Sequence, residues 1–358
     1  MLHLNLITSH LTQEEYQKYV NHLILFPIGI NGQKRLNKAK VLCIGAGGLG
    51  SACLLYLATA GINTIGIVDN DKVEISNLHR QIIYTTNDIG KEKIECAKKH
   101  LLCLNSDCEI QLYYDFLSIS NLQYIIPGYD IVIDGTDNFE SKKIISRACE
   151  LFHKPHVYGA IAELEGQVSV FNYQGGPGYK DLYSLAKQTN TLVTCDRRGV
   201  LNTLPGIIGA LQAVEVIKII IGVKQILSGY MLVYNALTIS FKTIRINKLS
   251  SYQLTSLQKL YQLNTSNNIN QDLINSKIKT SLLLIDVRQP VEYLINHMHN
   301  AINIPLRKLT YKNTLFFLKQ ESRTKTIYIY CNTQSKSLTA TALLAKNGIV
   351  SYIYRNQI

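Results

Sequence analysis

The stretch VLCIGAGGLGSACLLYLATAG, residues 41 to 61, constrains this chain more than any other part of it. An apolar run stops at Gly45, further glycines stand at 47, 48 and 50, and a helix-like apolar segment starts at once. That order describes a strand, a tight turn whose backbone comes close to a phosphate group, and a helix whose first amides face it. Alone the pattern is weak, because a ligand-free strand-to-helix turn carries the same glycines. Here the next apolar run, TIGIVDN, delivers Asp69 about twenty residues on, the usual station for an acid that grips a ribose. Nucleotide binding is the reading.

From residue 40 to about 172, runs that read as strands (KVLCIGA, TIGIVDN, DIVIDGT, VSVFNY) alternate with segments of helical period such as KIECAKKHLLCL. The alternation predicts an α/β fold with a doubly wound, Rossmann-like, mostly parallel sheet. Residues 11–40 read as helical with a turn over FPIGINGQ, and residues 173–203 turn polar and glycine-rich, the character of a functional loop. The apolar segment 204–223 holds Glu215 and Lys218, so a buried core helix suits it better than a membrane span. Composition shifts over 249–278, which reads as a linker running into a second set of strand and helix units. The chain thus divides into residues 1–248, a linker over 249–269, and a smaller α/β domain over 270–358.

Composition narrows the function classes. The net charge is +12, but the lysines and arginines are scattered without an RNA-type aromatic motif, so no nucleic-acid partner is expected. Eight cysteines without a C-x-x-C pair point to a reducing compartment and speak against a disulfide framework or a cysteine zinc site. Residues 1–20 lack the basic start and long apolar middle of a secretory signal, so no targeting or transmembrane segment is expected. Richness in Ile, Asn, Lys and Tyr with no Trp is what AT-rich coding produces, which suits a plastid stroma if the chain is plastid-encoded and a bacterial cytoplasm otherwise.

Which nucleotide is bound depends on the residues after the turn. The segment VDNDKVEISNLHRQ supplies Asp71, Asn77, Arg80 and Gln81, and Lys93 follows. A dinucleotide rests its pyrophosphate on the glycine turn and needs few further cations. A triphosphate that is to be cleaved needs Arg or Lys on its phosphates and a carboxylate for Mg²⁺. DGTDN, residues 134 to 138, supplies that carboxylate through Asp137 at a strand's carboxyl end. Singly, each charge would more often be solvated surface; near successive strand ends, together, they describe an ATP site and disfavour an NAD-dependent oxidoreductase.

GAGGLGS, VDND, SNLHRQ, GKEK and DGTDN, in this order, resemble the MoeB/ThiF family of the ubiquitin-activating-enzyme superfamily over about residues 16–247. The resemblance implies an ATP- and Mg²⁺-dependent homodimeric adenylyltransferase with no membrane partner. Such an enzyme activates the C-terminal glycine of a small ubiquitin-like sulfur carrier ending in Gly-Gly. By motif position it implies Gly48 against the nucleotide, Asp69 on the ribose, Asn77, Arg80 and Lys93 at the phosphates, and Asp137 on Mg²⁺. Gly45, Gly47, Gly50, Asp71, Ser76, Leu78, His79, Gln81 and Asn138 complete the nucleotide-binding set. No side-chain nucleophile is needed: the carrier's carboxylate attacks the α-phosphorus and pyrophosphate leaves, with positioning and charge neutralisation as the catalysis. Molybdopterin synthesis is the pathway implied first, with thiamine synthesis or tRNA thiolation as alternatives and a non-catalytic carrier-binding scaffold as a rival of another class.

Two cysteines are candidates for sulfur chemistry. Cys195, in TCDRRGV, lies where sulfur-transferring members place a cysteine, and Arg197, Arg198 and a following helix start would lower its pKa; it is a candidate thioester residue. Residues 270–358 resemble a rhodanese domain through LLLIDVRQPVEY, HMHNAINIP and YIYCNTQSKS, which makes Cys331 the candidate persulfide residue, ringed by loop amides and a helix start.

The chain also departs from both families. Asn21 stands where family members carry an arginine that reaches the ATP phosphates across the dimer, with Lys18 as a neighbouring cation that could substitute. Gly178 and Asp181 stand where a pair of zinc cysteines would be, and INKLSSYQ lacks the other pair, so no structural zinc is expected. In the rhodanese-like part Gln334 replaces a loop glycine, Lys336 an arginine, and a domain ending at Ile358 is expected to lack the family's last helix.

Overall fold

Three helices precede the glycine-rich strand: α1 (Gln13–Lys18), α2 (Val20–Leu23) and α3 (Gly29–Lys38). α1 starts on a reciprocal cap, in which the Thr12 hydroxyl accepts the Glu15 N–H and the Glu15 carboxylate accepts the Thr12 N–H. The computed structural model describes residue 2 and residues 10–114, 118–182, 199–248, 282–295, 297–331 and 334–354. The chain forms two compact units, Met1–Leu260 and Tyr261–Ile358.

In the first unit β1 (Lys40–Ile44), α4 (Gly48–Thr59) and β2 (Thr64–Val68) follow, then α5 (Lys93–Leu104), β3 (Glu109–Tyr113) and α6 (Ile119–Ile125). Next come β4 (Ile131–Asp134), α7 (Phe139–Leu151), β5 (His156–Ala162), β6 (Glu165–Phe171), α8 (Leu204–Ile221), β7 (Tyr230–Asn235) and β8 (Ser240–Arg245). They build one sheet in the order β3-β2-β1-β4-β5-β6-β7-β8. Pairs from β3 to β5 are parallel and those from β5 to β8 antiparallel. β1 has β2 on one side and β4 on the other, so the strand order reverses between β1 and β4, and ligands of such sheets bind at the carboxyl end of that reversal.

β1, β2 and β4 are buried on both faces, which is why they read as unbroken apolar runs. Val41 and Cys43 join one core with Ile65, Ile67 and α4's Leu54 and Leu57, while Leu42 and Ile44 join another with Val132, Ile145 and Leu122. The doubly wound pattern stops at β5. VSVFNY, read as one more strand of the alternation, falls on β6, which hairpins back against β5. β3 and β8 escape a sequence reading because both are edge strands with half-exposed or exposed faces, whose apolar residues are broken by polar ones.

α8 is the one described helix long and apolar enough, by length and composition, to cross a membrane. It packs across α4, and Gly209 makes that approach close: a Cβ there would stand 2.3 Å from Leu49 O. Gly222, in the left-handed region at φ 82°, ends it, and the Arg35 guanidinium donates to Ile220 O at 2.5 Å.

The second unit contains β9 (Leu282–Asp286), α9 (Pro290–Ile295), β10 (Ile302–Asn303), α10 (Lys312–Glu321), β11 (Thr326–Tyr330), α11 (Gln334–Lys346) and β12 (Ser351–Ile353). Its sheet runs β10-β9-β11-β12 with every pair parallel, and Ile285, Ile327 and Ile329 bury one face against Leu318, Ala340 and Leu344.

Candidate functional site

The glycine turn can be built from no other residue at two of its positions. Gly45 sits at φ +94°, and a Cβ on it would lie 2.9 Å from the Gly135 carbonyl. A Cβ on Gly50 would lie 2.0 Å from Gly45 O, so the first turn of α4 folds directly onto the end of β1. Gly47 caps α4, and the nearest atom to a Cβ there is Gln81 Nε2, 3.7 Å away. The α4 amides thereby face the carboxyl edge of the sheet, the arrangement that receives a phosphate.

Other motifs close around this turn. Asp69, one residue beyond β2, accepts the Ala46 N–H on Oδ2 at 2.7 Å and the Asp71 N–H on Oδ1 at 2.9 Å. Burial pushes its carboxyl up, against the pull of Lys93 and those two N–H groups. Each carboxylate oxygen keeps acceptor capacity for a ribose hydroxyl. The buried Lys93 ammonium pairs with Asp71 Oδ2 at 2.7 Å, and the Lys93 N–H donates to Asp71 O. Residues 76–81 lie against the same turn, since Arg80 O would stand 3.8 Å from a Cβ on Gly48. Within them Asn77 Oδ1 accepts the Glu74 N–H, the Ser76 hydroxyl donates to Glu74, and Arg80 Nη1 lies 2.8 Å from both Ser76 O and His79 Nε2. Gln81 is buried and its Oε1 has no hydrogen-bond partner among the described residues, whereas Leu78 packs against the main core.

The turn after β4 completes the site from the other side of the switch point. A Cβ on Gly135 would come 2.6 Å from Gly45 O, so the two loops touch backbone to backbone. Asp137 follows, exposed, with no hydrogen bond or ion pair among the described residues, and Asn138 caps α7 by accepting the Ser141 N–H at 2.9 Å. Beneath them lies a cluster that sequence reading does not identify. The fully buried Asp134 accepts from Lys142 Nζ (3.0 Å), Thr136 N–H (3.0 Å) and Thr136 Oγ1 (2.6 Å) on Oδ1, and from His156 Nε2 (3.3 Å) on Oδ2. Gln212, from α8, donates to Asp134 O at 2.8 Å. The available signal is an acid closing an otherwise apolar strand; its partners come from α7, β5 and α8, where a Lys, a His and a Gln look ordinary.

Burial alone would raise the Asp134 carboxyl, but the Lys142 charge and the hydrogen bonds from His156 and Thr136 outweigh it and hold it at about 2. A carboxyl depressed on folding adds stability that is complete above the unfolded value of roughly 4 and is lost as pH falls through the folded one. The thermal midpoint should therefore drop between about pH 4 and 2. Asp134→Asn should be about 3 kcal/mol less stable at pH 7 because it strands Lys142, and should show a flatter acid limb. Equal acid slopes in the two proteins would rule out this assignment.

The remaining candidates fall as follows. Asn21 lies exposed on α2, and Lys18, its potential substitute, is engaged by Asn105 Oδ1 at 2.6 Å and Asp107 at 3.3 Å. Asp181 accepts the Gly178 N–H at 2.8 Å and so closes its own short turn. Cys195 lies outside the described residues. Cys331 directly follows β11, is half-buried and outside any disulfide, and stands just before α11, on which Lys336 is buried. The neighbouring strand end is fixed by Arg288, whose Nη2 donates to Asp286 at 2.6 Å while its cation lies 4.9 Å from the centre of the Tyr330 ring.

The ThiF family model matches residues 19–254 and the rhodanese-like domain model residues 269–356. Over 350 residues, 98% of each chain, this chain is 44% identical to a "Probable molybdopterin-synthase adenylyltransferase" of Gracilaria tenuistipitata var. liui. It is 37% identical over 364 residues, 97% of this chain and 92% of the relative, to a "Probable adenylyltransferase/sulfurtransferase MoeZ" of Mycobacterium tuberculosis. A crystal structure of Escherichia coli MccB with succinimide shares the fold at a TM-score of 0.57 and 23% identity, covering 65% of this chain and 73% of that one.

Proposed function

Since the chain belongs to the ThiF family and carries a rhodanese-like domain, we propose that it adenylates the C-terminal glycine of a small ubiquitin-like sulfur carrier with ATP and then takes part in loading sulfur onto it. The observation that carries this reading is the convergence of the glycine turn, Asp69, Lys93, residues 76–81 and the Asp137 turn at one strand reversal. The carrier's carboxylate oxygen attacks the α-phosphorus, an oxygen–phosphorus bond forms, and the bond to the bridging oxygen breaks to release pyrophosphate. α4's amides and Arg80 take up phosphate charge, and Lys93 joins them when a phosphate competes with Asp71 for its ammonium. Mg²⁺, when bound, supplies further neutralisation; Asp137, an exposed carboxylate beside the phosphate turn with no ion pair among the described residues, suits an ion that takes one or two carboxylates along with phosphate oxygens. The relatives' names favour a molybdopterin-synthase carrier ending in Gly-Gly, with thiamine synthesis and tRNA thiolation as alternatives. The red algal relative and the AT-rich bias favour a plastid stroma. Purified protein should exchange label between pyrophosphate and ATP only when a small ubiquitin-like carrier ending in Gly-Gly is added. Protection against heating by NADH and not by ATP would overturn the reading in favour of an oxidoreductase.

The active form in this reading is a homodimer. α2 and the residues just after it leave Val20, Ile24, Leu25 and the wholly exposed Phe26 uncovered, and a groove of about 380 Å³ is lined by His22, Tyr56, Ala210, Ala213, Val214 and Ile217. Clustered exposed apolar side chains of this kind suit a protein–protein contact. Asn21 lies on the same helix, where a neutral amide cannot supply charge to a phosphate of a second copy. Asn21→Arg should accelerate exchange up to about tenfold, and an unchanged rate would reject this account of the position.

Structural zinc has no place in the proposal. The expectation rests on Gly178 and Asp181 standing where the family's cysteine pair would be, with the Asp181 carboxylate accepting the Gly178 N–H. Elemental analysis of dialysed protein should find no zinc; one equivalent per chain that survives a chelator would contradict this.

A further inference from the structure

Lys142 is almost wholly buried, and its ammonium donates to Asp134 Oδ1 at 3.0 Å, Thr136 O at 2.8 Å and Gly159 O at 2.7 Å. Three bonds use every proton an ammonium has. Two of the acceptors belong to the short turn that ends at Asp137, and the third belongs to β5. The same turn is held by Thr136 and His156 on the Asp134 carboxylate and by Gln212 on the Asp134 carbonyl. Asp137 itself makes no hydrogen bond or ion pair among the described residues, so the backbone of this turn is what places it. A buried charge pair is a poor way to gain stability, since an apolar pair of the same volume does as well or better. Its better-attested use is to fix one geometry among several.

We propose that Lys142 is a positioning residue for adenylation: by clamping the 134–137 turn to β5, it presets the Asp137 carboxylate for the Mg²⁺ that accompanies ATP. Lys142 is too deep to meet the nucleotide, and it acts through Asp134 and Thr136. The inference rests on the reading of Asp137 given above. It adds that the strength of the metal contact is set one layer below the site, as it is for groups that orient metal ligands elsewhere.

The test is equilibrium binding of ATP to the full chain at a series of MgCl₂ concentrations and in EDTA, with thermal unfolding of the same samples as a control. Lys142→Met should raise the half-saturating Mg²⁺ concentration about tenfold and leave ATP affinity in EDTA within about twofold of the wild type. Lys142→Arg, which keeps a cation on Asp134, should recover to within about threefold. Thr136→Val removes the 2.6 Å hydroxyl bond while keeping the side chain's shape, should raise half-saturation about threefold, and decides the matter if Lys142→Met does not fold. An unchanged Mg²⁺ dependence in either folded variant overturns the proposal. So does an equal loss of ATP affinity with and without Mg²⁺, which would place the effect on the whole nucleotide. Wild-type protein that exchanges pyrophosphate yet binds ATP without regard to Mg²⁺ overturns the inference alone. Absence of carrier-dependent exchange in the wild type removes the functional reading beneath it as well.

Discussion

Asp137→Ala should lower carrier-dependent ATP–pyrophosphate exchange about a thousandfold and leave the thermal midpoint within about 2 °C of the wild type. The two halves of this result have separate causes. Stability is untouched because the side chain is exposed and makes no hydrogen bond or ion pair among the described residues, and because the cap of α7 is supplied by Asn138, not by Asp137. Surface positions of that kind respond by less than about 0.5 kcal/mol. Exchange collapses because the α-phosphorus is attacked by a carboxylate and negative charge accumulates on the departing pyrophosphate, so losing the metal's anchor removes stabilisation where charge develops. Asp137→Asn should do nearly the same harm, since an amide keeps the size and loses the charge. Exchange that falls by less than tenfold in both variants would place the metal carboxylate elsewhere.

The parts of the site legible in the sequence are those that tolerate one residue type. Gly45 and Gly50 are dictated by a left-handed φ and by a clearance of 2.0 Å, and Asp69 by the two amides it must accept at the end of β2. Such constraints are local, and spacing records them. The Asp134 cluster is not legible because its partners converge from three separate elements. Lys142, on an amphipathic helix, has the sequence context of a surface lysine, and only the packing of α7 against β4 and β5 turns it inward. The fold divides the same way. Strands buried on both faces announce themselves as apolar runs, while β3 and β8, at the two edges of the sheet, share their faces with solvent and do not. The helical reading of residues 204–223 matches α8, whose high hydropathy comes from being packed on α4 and across the sheet.

Cys331→Ala should stop formation of the carrier thiocarboxylate from ATP and thiosulfate while leaving pyrophosphate exchange within about twofold of the wild type, because adenylation uses no thiol. In the route we propose, the thiolate of Cys331 attacks the outer sulfur of thiosulfate, the sulfur–sulfur bond breaks, and sulfite leaves with its electron pair, so that Cys331 carries a persulfide. The terminal sulfur then attacks the carbonyl of the acyl-adenylate and AMP departs. The resulting acyl disulfide is opened by a second thiol, which forms a disulfide with Cys331 and releases the thiocarboxylate. An added external thiol fills that role; Cys195, the candidate thioester residue, lies outside the described residues, and Cys195→Ala should lower the yield only if an acyl-enzyme intermediate forms. What favours Cys331 as the sulfur's carrier is its place at the carboxyl end of a central parallel strand with α11 starting just beyond it, where helix amides stabilise an anionic sulfur. Asp286 and Arg288 neutralise each other on the neighbouring strand, so they hold the strand end without adding net charge beside the thiol. Lys336, buried on α11 where related domains carry an arginine, offers a point charge in place of a planar fork, which should slow sulfur uptake from thiosulfate without preventing it. The mass of the carrier after incubation with each variant reads the outcome directly. A thiocarboxylate that forms undiminished with Cys331→Ala would show that sulfur reaches the acyl-adenylate without passing through the second domain.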